Sequence, residues 1–152
     1  MAIRLPTAGD CGFCEYIAGT KACAFIRRGP LVSSIVNRTQ YEAGALLIIP
    51  NRHLPSVLDL PADVLAAVAL ESQLLGRALI EGFEATGLNI FQNNGVDANQ
   101  HYPHYHMHVV PRYPGSDPTK IYLEREFVRI SITEQIDIAK RIAQACSKLQ
   151  PI

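Results

Sequence analysis

The sequence has no excess of charge of either sign and no long apolar run. Its 152 residues carry 14 Lys and Arg against 14 Asp and Glu. A chain without net charge has no global field that would attract a nucleic acid backbone or an anionic membrane. The longest apolar run, VLAAVAL, is far too short to span a bilayer. We therefore expect a soluble protein, without a nucleic acid polymer or a membrane as partner, in which any bound nucleotide is held by a local site.

The sequence is also poor in cysteine, and its first residues do not have the pattern expected of a secretion signal. The N-terminal segment MAIRLPTAGDCGFC has no apolar core of the kind found in a signal peptide. Four cysteines would make a thin disulfide framework for a chain that is 48% hydrophobic and can build its own core. We expect a cytoplasmic protein folded as one domain over residues 1–152, in which the pair CGFC serves metal binding or redox chemistry.

Hydrophobic patterning predicts an α+β domain with a mostly antiparallel sheet. The apolar runs ACAFIRR, LVSSIVNR and ALLIIP predict a meander, and LNIFQNN and HYHMHVVPR predict two later strands. A long helix is predicted from Pro61 to about Glu81, with Gly82 as its stop, and a C-terminal helix over about 133–149. The predicted inward positions are Leu65, Val68, Leu75 and Leu79 in the first helix and Ile136, Ala139, Ala143 and Cys146 in the second.

Four of the five histidines lie in the stretch HYPHYHMHVVPR at residues 101–112. Alternate residues on a strand share one face and lie roughly 6 to 7 Å apart. His104, His106 and His108 are therefore predicted to form a row, while Tyr105 and Met107 face the core.

Three interpretations of this row are open at the level of the residues. It could be a polar solvent face, although Lys, Glu and Thr are more usual there. It could be the ligand set of one catalytic metal, because neutral imidazole is the commonest metal ligand. The three histidines could also have different roles. One would then be a nucleophile, and the others would orient it or contact an anion. Imidazole suits attack on phosphorus because its unperturbed pKa of about 6.5 leaves it partly neutral at pH 7.

The polar loop NNGVDANQ ahead of the histidines favours the third interpretation. Its amides offer many neutral hydrogen-bond donors, which suit an oxyanion or phosphate site. Asn and Gly are also ordinary turn residues, so the loop alone does not decide the matter.

The pattern HYHMHVV resembles the signature of the histidine triad (HIT) family of nucleotide hydrolases and transferases. The resemblance covers about residues 11–113 and includes CGFC, IVNR before AGALLIIPNRH, the helix after VLDLP, NNGVDANQ and the Pro-Arg that follows the triad. It implies a five-stranded antiparallel sheet with one long central helix and a C-terminal helix. It also implies a homodimer whose two sheets join.

The resemblance implies a catalytic set of His104, His106, His108 and Gln100. His106 would attack the α-phosphate of a nucleotide and form a nucleotidyl-histidine intermediate, which water or phosphate then cleaves. His108 would contact the phosphate, and Gln100 and Asn93 would complete the phosphate cradle.

The remaining nucleotide contacts implied by the resemblance include several departures from the family pattern. Asn37 takes the ribose position, where many members carry Asp, and VNR at this point is similar to the fragile-histidine-triad branch that acts on dinucleoside polyphosphates. Phe13 and Ile35 would form the walls of the pocket for the base. Asn99 replaces a usual Gly. His101 replaces a usual Ser or Thr and would either protonate the leaving group or be a solvent-exposed loop residue.

A zinc site is predicted beside the triad. CGFC alone also suits a redox turn, but that use requires a strand-to-helix context, and here the pair precedes the predicted meander. Two nitrogen ligands would complete a tetrahedral Cys2His2 site. The resemblance to some bacterial members and to hexose-1-phosphate uridylyltransferases implies a structural Zn²⁺ held by Cys11, Cys14, His53 and His104. The alternative is two reduced thiols and a surface His53.

The expected function is that of a nucleotide hydrolase or nucleotidyltransferase, acting on dinucleoside polyphosphates or nucleoside phosphoramidates. Two alternatives are a three-histidine metal-dependent hydrolase and a nucleotide-binding module without catalysis.

Overall fold

The computed structural model describes residues 3–7, 9, 11–119 and 127–149. Within them the chain forms three helices, seven strands and two 3-10 turns, at Val57–Asp59 and Val96–Ala98. The helices are α1 Gly12–Ala18, α2 Ala62–Phe83 and α3 Ile132–Lys148. The strands are β1 Phe25–Arg28, β2 Val32–Val36, β3 Thr39–Gln40, β4 Leu46–Pro50, β5 Gly87–Phe91, β6 Met107–Arg112 and β7 Val128–Arg129.

The main sheet has five antiparallel strands in the order β1-β2-β4-β6-β5, and β3 and β7 pair in a small second sheet. The predicted fold class is confirmed, and each of the five predicted strands is present in the main sheet. No helix among the described residues combines the length and apolar character needed to cross a bilayer.

The two faces of the sheet have different partners. Leu46 and Ile48 on β4 join the core cluster that contains α2 and α3. Leu47 and Ile49, which alternate with them, join a smaller cluster with Phe13 of α1. The long helices therefore cover one face, and the other face is left for α1 and a cleft.

Helix α2 ends later than the sequence predicts. It continues through Gly82 to Phe83, and Glu84 takes the left-handed conformation with φ of 56°. A Cβ atom at Gly82 would lie 3.2 Å from the Cβ of Ala145 on α3. The prediction that Gly82 stops the helix is therefore wrong. The role of this glycine is to allow the close approach of α3.

The buried faces of both helices differ in part from the predicted ones. Val68, Leu75 and Leu79 are buried as predicted, whereas Leu65 is 43% exposed. On α3, Ala139 is buried but Ile136 is 40% exposed. The predictions for Leu65 and Ile136 are wrong. The residues of α3 that are buried are Gln135, Ala139, Ile142 and Ala145.

Strand β6 is shorter than predicted, because it begins at Met107. His104 and His106 precede it, and the Tyr105 backbone N–H donates to the Leu54 carbonyl at 2.6 Å. The prediction that the three imidazoles form a row on one strand is therefore wrong. Tyr105 is 2% exposed and Met107 packs against the core, as predicted.

Candidate functional site

A cleft of about 380 Å³ opens on the sheet face that α2 and α3 do not cover. Its floor includes Ile35, Leu47, His108 and Phe91, which lie on β2, β4, β6 and β5. The strand register pairs Ile35 with Leu47, Leu47 with His108 and His108 with Phe91. Directly paired residues share a face, so the four side chains form a row across the sheet, roughly 14 Å long at 4.7–4.9 Å per strand.

His106 lies in this cleft with a defined tautomer. Its Nδ1–H donates to the backbone carbonyl of His104 at 2.8 Å. Because a carbonyl oxygen can only accept, Nδ1 carries the proton and Nε2 keeps its lone pair. The ring of Phe13 lies 5.1 Å from the His106 ring. His106 thus offers a nucleophilic nitrogen beside an apolar wall.

The environment of His106 and His108 favours neutral imidazoles. Desolvation lowers the pKa of His106, and nearby His101 lowers it further. Burial, with a smaller effect of His106, lowers the pKa of His108 to about 3. His108 stacks on Phe91, with ring centroids 4.5 Å apart and planes 3° apart. Burial therefore favours the neutral form of both rings.

The residues predicted to bind the base and the ribose all line the cleft, with Phe13 and Ile35 at its α1 end. Phe13 and Ile35 are 6% and 2% exposed and belong to one apolar cluster. Asn37 also lines the cleft, and its Oδ1 accepts from the Thr39 backbone N–H at 3.0 Å. This hydrogen bond fixes the orientation of the Asn37 amide.

The loop before the triad brings three predicted residues to the cleft, namely Asn93, Asn99 and His101. The Asn93 Nδ2 donates to the Asn99 carbonyl at 3.2 Å, and His101 Nε2 lies 2.8 Å from Asn99 Oδ1. Asn99 has a φ of 65°, the left-handed conformation that Gly and Asn adopt most easily. His101 is exposed and hydrogen-bonded at the cleft.

Gln100 points into the loop. It is 2% exposed, and its Nε2 donates to the carbonyls of Pro55 at 2.7 Å and Tyr102 at 2.8 Å. Its Oε1 accepts from the Gly95 N–H at 2.7 Å. All three bonds go to backbone groups, so Gln100 shapes the loop. Direct contact with phosphate stays a prediction.

The predicted zinc ligands Cys11, Cys14, His53 and His104 come together, with one donor atom of each within 4.8 Å of the others. Sγ to Nδ1 distances are 3.4 Å for Cys11 and His104, 3.6 Å for Cys14 and His104, and 3.3 Å for Cys14 and His53. Zinc–ligand bonds of about 2.3 Å to sulfur and 2.0–2.1 Å to nitrogen give a sulfur–nitrogen edge of roughly 3.5 Å in a tetrahedron. The cluster therefore has the size of a tetrahedral Cys2His2 site.

His104 has the tautomer that such a site needs. Its Nε2–H donates to the Pro50 carbonyl at 3.0 Å, which leaves the Nδ1 lone pair directed at the thiols. Metal-bound histidines commonly have a hydrogen bond of this kind on the second ring nitrogen. Burial lowers the pKa of His104 to about 4, which favours the neutral ligand form.

Helix α1 was not predicted from the sequence. Cys11 is its N-cap, and CGFC opens the helix instead of simply preceding the meander. The proximity of two histidines still distinguishes the pair from a redox turn. Phe13 lies between the two cysteines, so the same helical turn supplies both thiols and one wall of the cleft.

Sequence reasoning missed several residues that line the cleft, among them Arg38, Tyr41, Phe91, Phe127 and Arg129. Arg38 directly follows Asn37 in the motif IVNR and could have been suspected from that position. Phe127 and Arg129 lie beyond every motif, and the small β3–β7 sheet brings them back to the cleft.

Comparison with known proteins assigns this site to a family. Residues 19–115 match the HIT domain family. The chain therefore belongs to the HIT domain family, as the histidine pattern predicted.

Several relatives are similar over most of the chain. Protein hit of Bacillus subtilis is 34% identical over 110 residues, which are 72% of this chain and 76% of that protein. An adenylylsulfatase of Arabidopsis thaliana is 31% identical over 68% of this chain and 52% of its own length. A bis(5′-nucleosyl)-tetraphosphatase of Schizosaccharomyces pombe is 32% identical over 65% of this chain and 56% of its own length. The matches thus span about half the length of the two enzymes.

One similar solved structure is a Zn-bound histidine triad family protein from Mycobacterium smegmatis. It has a TM-score of 0.78 and 27% identity, with 91% of this chain and 94% of that chain covered.

Proposed function

We propose that this protein is a nucleotide hydrolase or nucleotidyltransferase that cleaves at the α-phosphate through a nucleotidyl-histidine intermediate. The observation that carries the proposal is the fixed tautomer of His106, whose Nε2 lone pair is available in the cleft. Dinucleoside polyphosphates and nucleoside phosphoramidates are the proposed substrates. Membership of the HIT family and the nucleotide substrates in the names of two relatives support this choice.

The charge of the cleft supports an anionic ligand. Its charged side chains, among the residues that the structure describes, are Lys21, Arg38 and Arg129, and no carboxylate lines it there. The whole chain has no net charge. A local excess of cations in a neutral protein attracts and holds phosphate without attracting nucleic acids in general.

The proposed reaction has two steps. In the first, His106 Nε2 attacks the α-phosphorus, a P–N bond forms, and the P–O or P–N bond to the leaving group breaks. The leaving group departs as an anion or takes a proton, for which His101 lies at the cleft. In the second, water or phosphate attacks the same phosphorus and breaks the P–N bond. Neutral His106 returns, and a nucleoside monophosphate or diphosphate is released.

Residues around His106 have supporting roles in this proposal. His108, stacked on Phe91, contacts the transferred phosphate from β6. Asn93 and the Asn99 backbone supply neutral donors, and Gln100 holds their loop in shape. Phe13 and Ile35 bind the base, and Asn37 binds the ribose.

We propose a structural zinc ion at Cys11, Cys14, His53 and His104. Four protein ligands close a tetrahedral shell and leave no position at which the metal could activate water. Metal bound there would tie the N-terminus of α1 to the segment that carries His106.

The two alternatives have less support. In a three-histidine metallohydrolase His104 would face the same ion as His106 and His108, but its two nitrogens are directed at the thiols and the Pro50 carbonyl. A binding module without catalysis would not need a nucleophile with an available lone pair.

Trapping the intermediate tests the proposal against the binding module. Protein mixed with diadenosine triphosphate carrying label at the α-phosphates and quenched in base during turnover should retain label on His106, identified by peptide mapping. The label should be lost in acid, because phosphoramidates hydrolyse there. Affinity for AMP with neither adduct nor turnover would contradict catalysis and support the binding module.

We also propose a homodimer formed through the free edge of the main sheet. Strand β5 ends the sheet and Ile90 on it is 45% exposed. Helix α2 lies against β5 at Gly76 and Leu88. On this helix Leu65 and Ile80 are 43% and 50% exposed and lie within about 60° of each other around the axis. An apolar patch at an open strand edge is a typical pairing surface.

Light scattering after size-exclusion chromatography checks the dimer. Wild-type protein should have twice the chain mass, and Ile90→Glu should shift it to the monomer because a carboxylate would be buried without a partner. Leu70→Glu is the matched control, since Leu70 is 68% exposed on another side of α2. A monomeric wild type, or equal effects of both changes, would rule out this interface.

A further inference from the structure

We propose that the cleft contains a second aromatic subsite, formed by Tyr41, Phe91 and Phe127, that binds the ring of the leaving group. This inference rests on the proposed function and narrows its substrate class. A leaving group with a ring and a phosphate chain is a second nucleotide, so the favoured substrates are dinucleoside polyphosphates.

The three rings form one wall. Tyr41 and Phe127 meet edge to face, with centroids 4.5 Å apart and planes at 86°. Tyr41 lies 6.2 Å from Phe91. All three line the cleft and are partly exposed. Partly exposed aromatic faces in a polar cleft are the common means of holding a nucleobase without reading its identity.

The catalytic histidines separate this wall from the Phe13 wall. Phe13 contacts the His106 ring at 5.1 Å, and Tyr41 contacts the His108 ring at 5.4 Å. The two imidazole rings lie 5.1 Å apart. In the row across the sheet, Ile35 is at one end and Phe91 at the other, with His108 between them. A base at each end would therefore leave the phosphates at the histidines.

One cation is close in the chain to the second wall, and another lines the same cleft. Arg129 follows Phe127 by two residues and pairs with Thr39, and Arg38 precedes that strand. Both arginines line the cleft. A guanidinium beside an aromatic wall suits the phosphates next to a nucleoside. A small amine leaving group, as in a simple phosphoramidate, would use neither the rings nor the arginines.

A change of substrate preference tests the subsite. Diadenosine triphosphate and adenosine 5′-phosphoramidate share the adenylyl group and differ in the leaving group. Phe127→Leu keeps an apolar side chain but removes the aromatic face. It should lower kcat/KM for diadenosine triphosphate at least about fivefold, the lower end of the effect of losing one base–aromatic stack. For the phosphoramidate kcat/KM should stay within about twofold.

Two further variants make the result specific. Phe127→Tyr keeps the ring and should behave as wild type. Tyr16→Leu removes an aromatic side chain at the Phe13 end of the cleft and should affect both substrates alike. Equal loss on both substrates for Phe127→Leu, or no loss on either, would overturn the subsite.

The subsite can also be tested if the proposed catalytic function is wrong, because binding is measured separately from turnover. If the wild type converts neither substrate, calorimetry with diadenosine triphosphate and AMP decides about the subsite. Phe127→Leu should then weaken binding of diadenosine triphosphate and leave AMP binding within about twofold, since AMP lacks the second ring. Unchanged affinity for both ligands would overturn the subsite.

Discussion

His106→Ala should lower kcat for diadenosine triphosphate by at least about four orders of magnitude, the scale seen when a nucleophile is removed. The structure supplies the reason, because His106 Nε2 is the nitrogen with an available lone pair, fixed by the 2.8 Å bond from Nδ1–H to the His104 carbonyl. Steady-state kinetics and adduct trapping measure the loss.

His101→Ala is the matched control, because it removes another imidazole of the same cleft. Label should still accumulate on His106 in this variant, even if turnover slows. For His106→Ala, the thermal midpoint and AMP affinity should stay close to those of wild type, since the ring is partly exposed. Hydrolysis retained by a well-folded His106→Ala protein would contradict the proposed mechanism.

Removal of the metal should destabilise the fold more than it alters the chemistry of the protein that stays folded. Because metal binding contributes directly to folding free energy, its loss should lower the thermal midpoint by roughly 10 °C or more, at about 2–4 °C per kcal/mol in a chain of this size. Cys11→Ser with Cys14→Ser should reproduce the effect of chelation. Calorimetry and metal analysis, with one zinc expected per chain, provide the measurement.

Removal of the metal should also weaken nucleotide binding. Phe13 lies between the two cysteines and touches the rings of His104 and His106 at 5.6 and 5.1 Å. Without the metal this turn of α1 loses its attachment to His53 and His104, so the base wall is less well ordered. AMP binding measured below the melting temperature should weaken several-fold.

Cys146→Ser is the control for these cysteine changes, because Cys146 lies on α3 outside the cluster. It should keep the zinc content and the AMP affinity. Activity that disappears at once on chelation, with the fold intact, and returns with several divalent ions would contradict a structural metal. That result would support the three-histidine metallohydrolase.

Local sequence signals determined the fold class. The short β-favouring runs of the five main strands and the punctuation by Gly29, Pro30 and Pro50 are short-range features, as is the helical period of α2 and α3. The HIT pattern identified the family for the same reason, since its residues are close in sequence. The types of zinc ligand could also be predicted from the sequence, because a Cys-x-x-Cys pair and two histidines are typical ligands of a structural zinc site.

Tertiary contacts decided what these local signals could not. Helix α1 and the β3–β7 pair are too short to be stable by propensity, and packing and pairing with distant residues hold them. Gly82 permits the approach of Ala145 instead of ending α2. Gln100 uses its amide on the carbonyls of Pro55 and Tyr102. Apart from Tyr102, none of these partners is near in sequence.

The sequence by itself thus determined the five strands of the main sheet, the two long helices, the family and the candidate nucleophile, because each depends on neighbouring residues. Only the tertiary structure brings His104, which the family resemblance assigns to zinc, together with the cysteines and places His106 and His108 in the cleft. It also decided that Tyr41, Phe91 and Phe127 meet at one end of that cleft. The physical reason is that these arrangements depend on contacts between residues from 17 to 93 positions apart in the sequence.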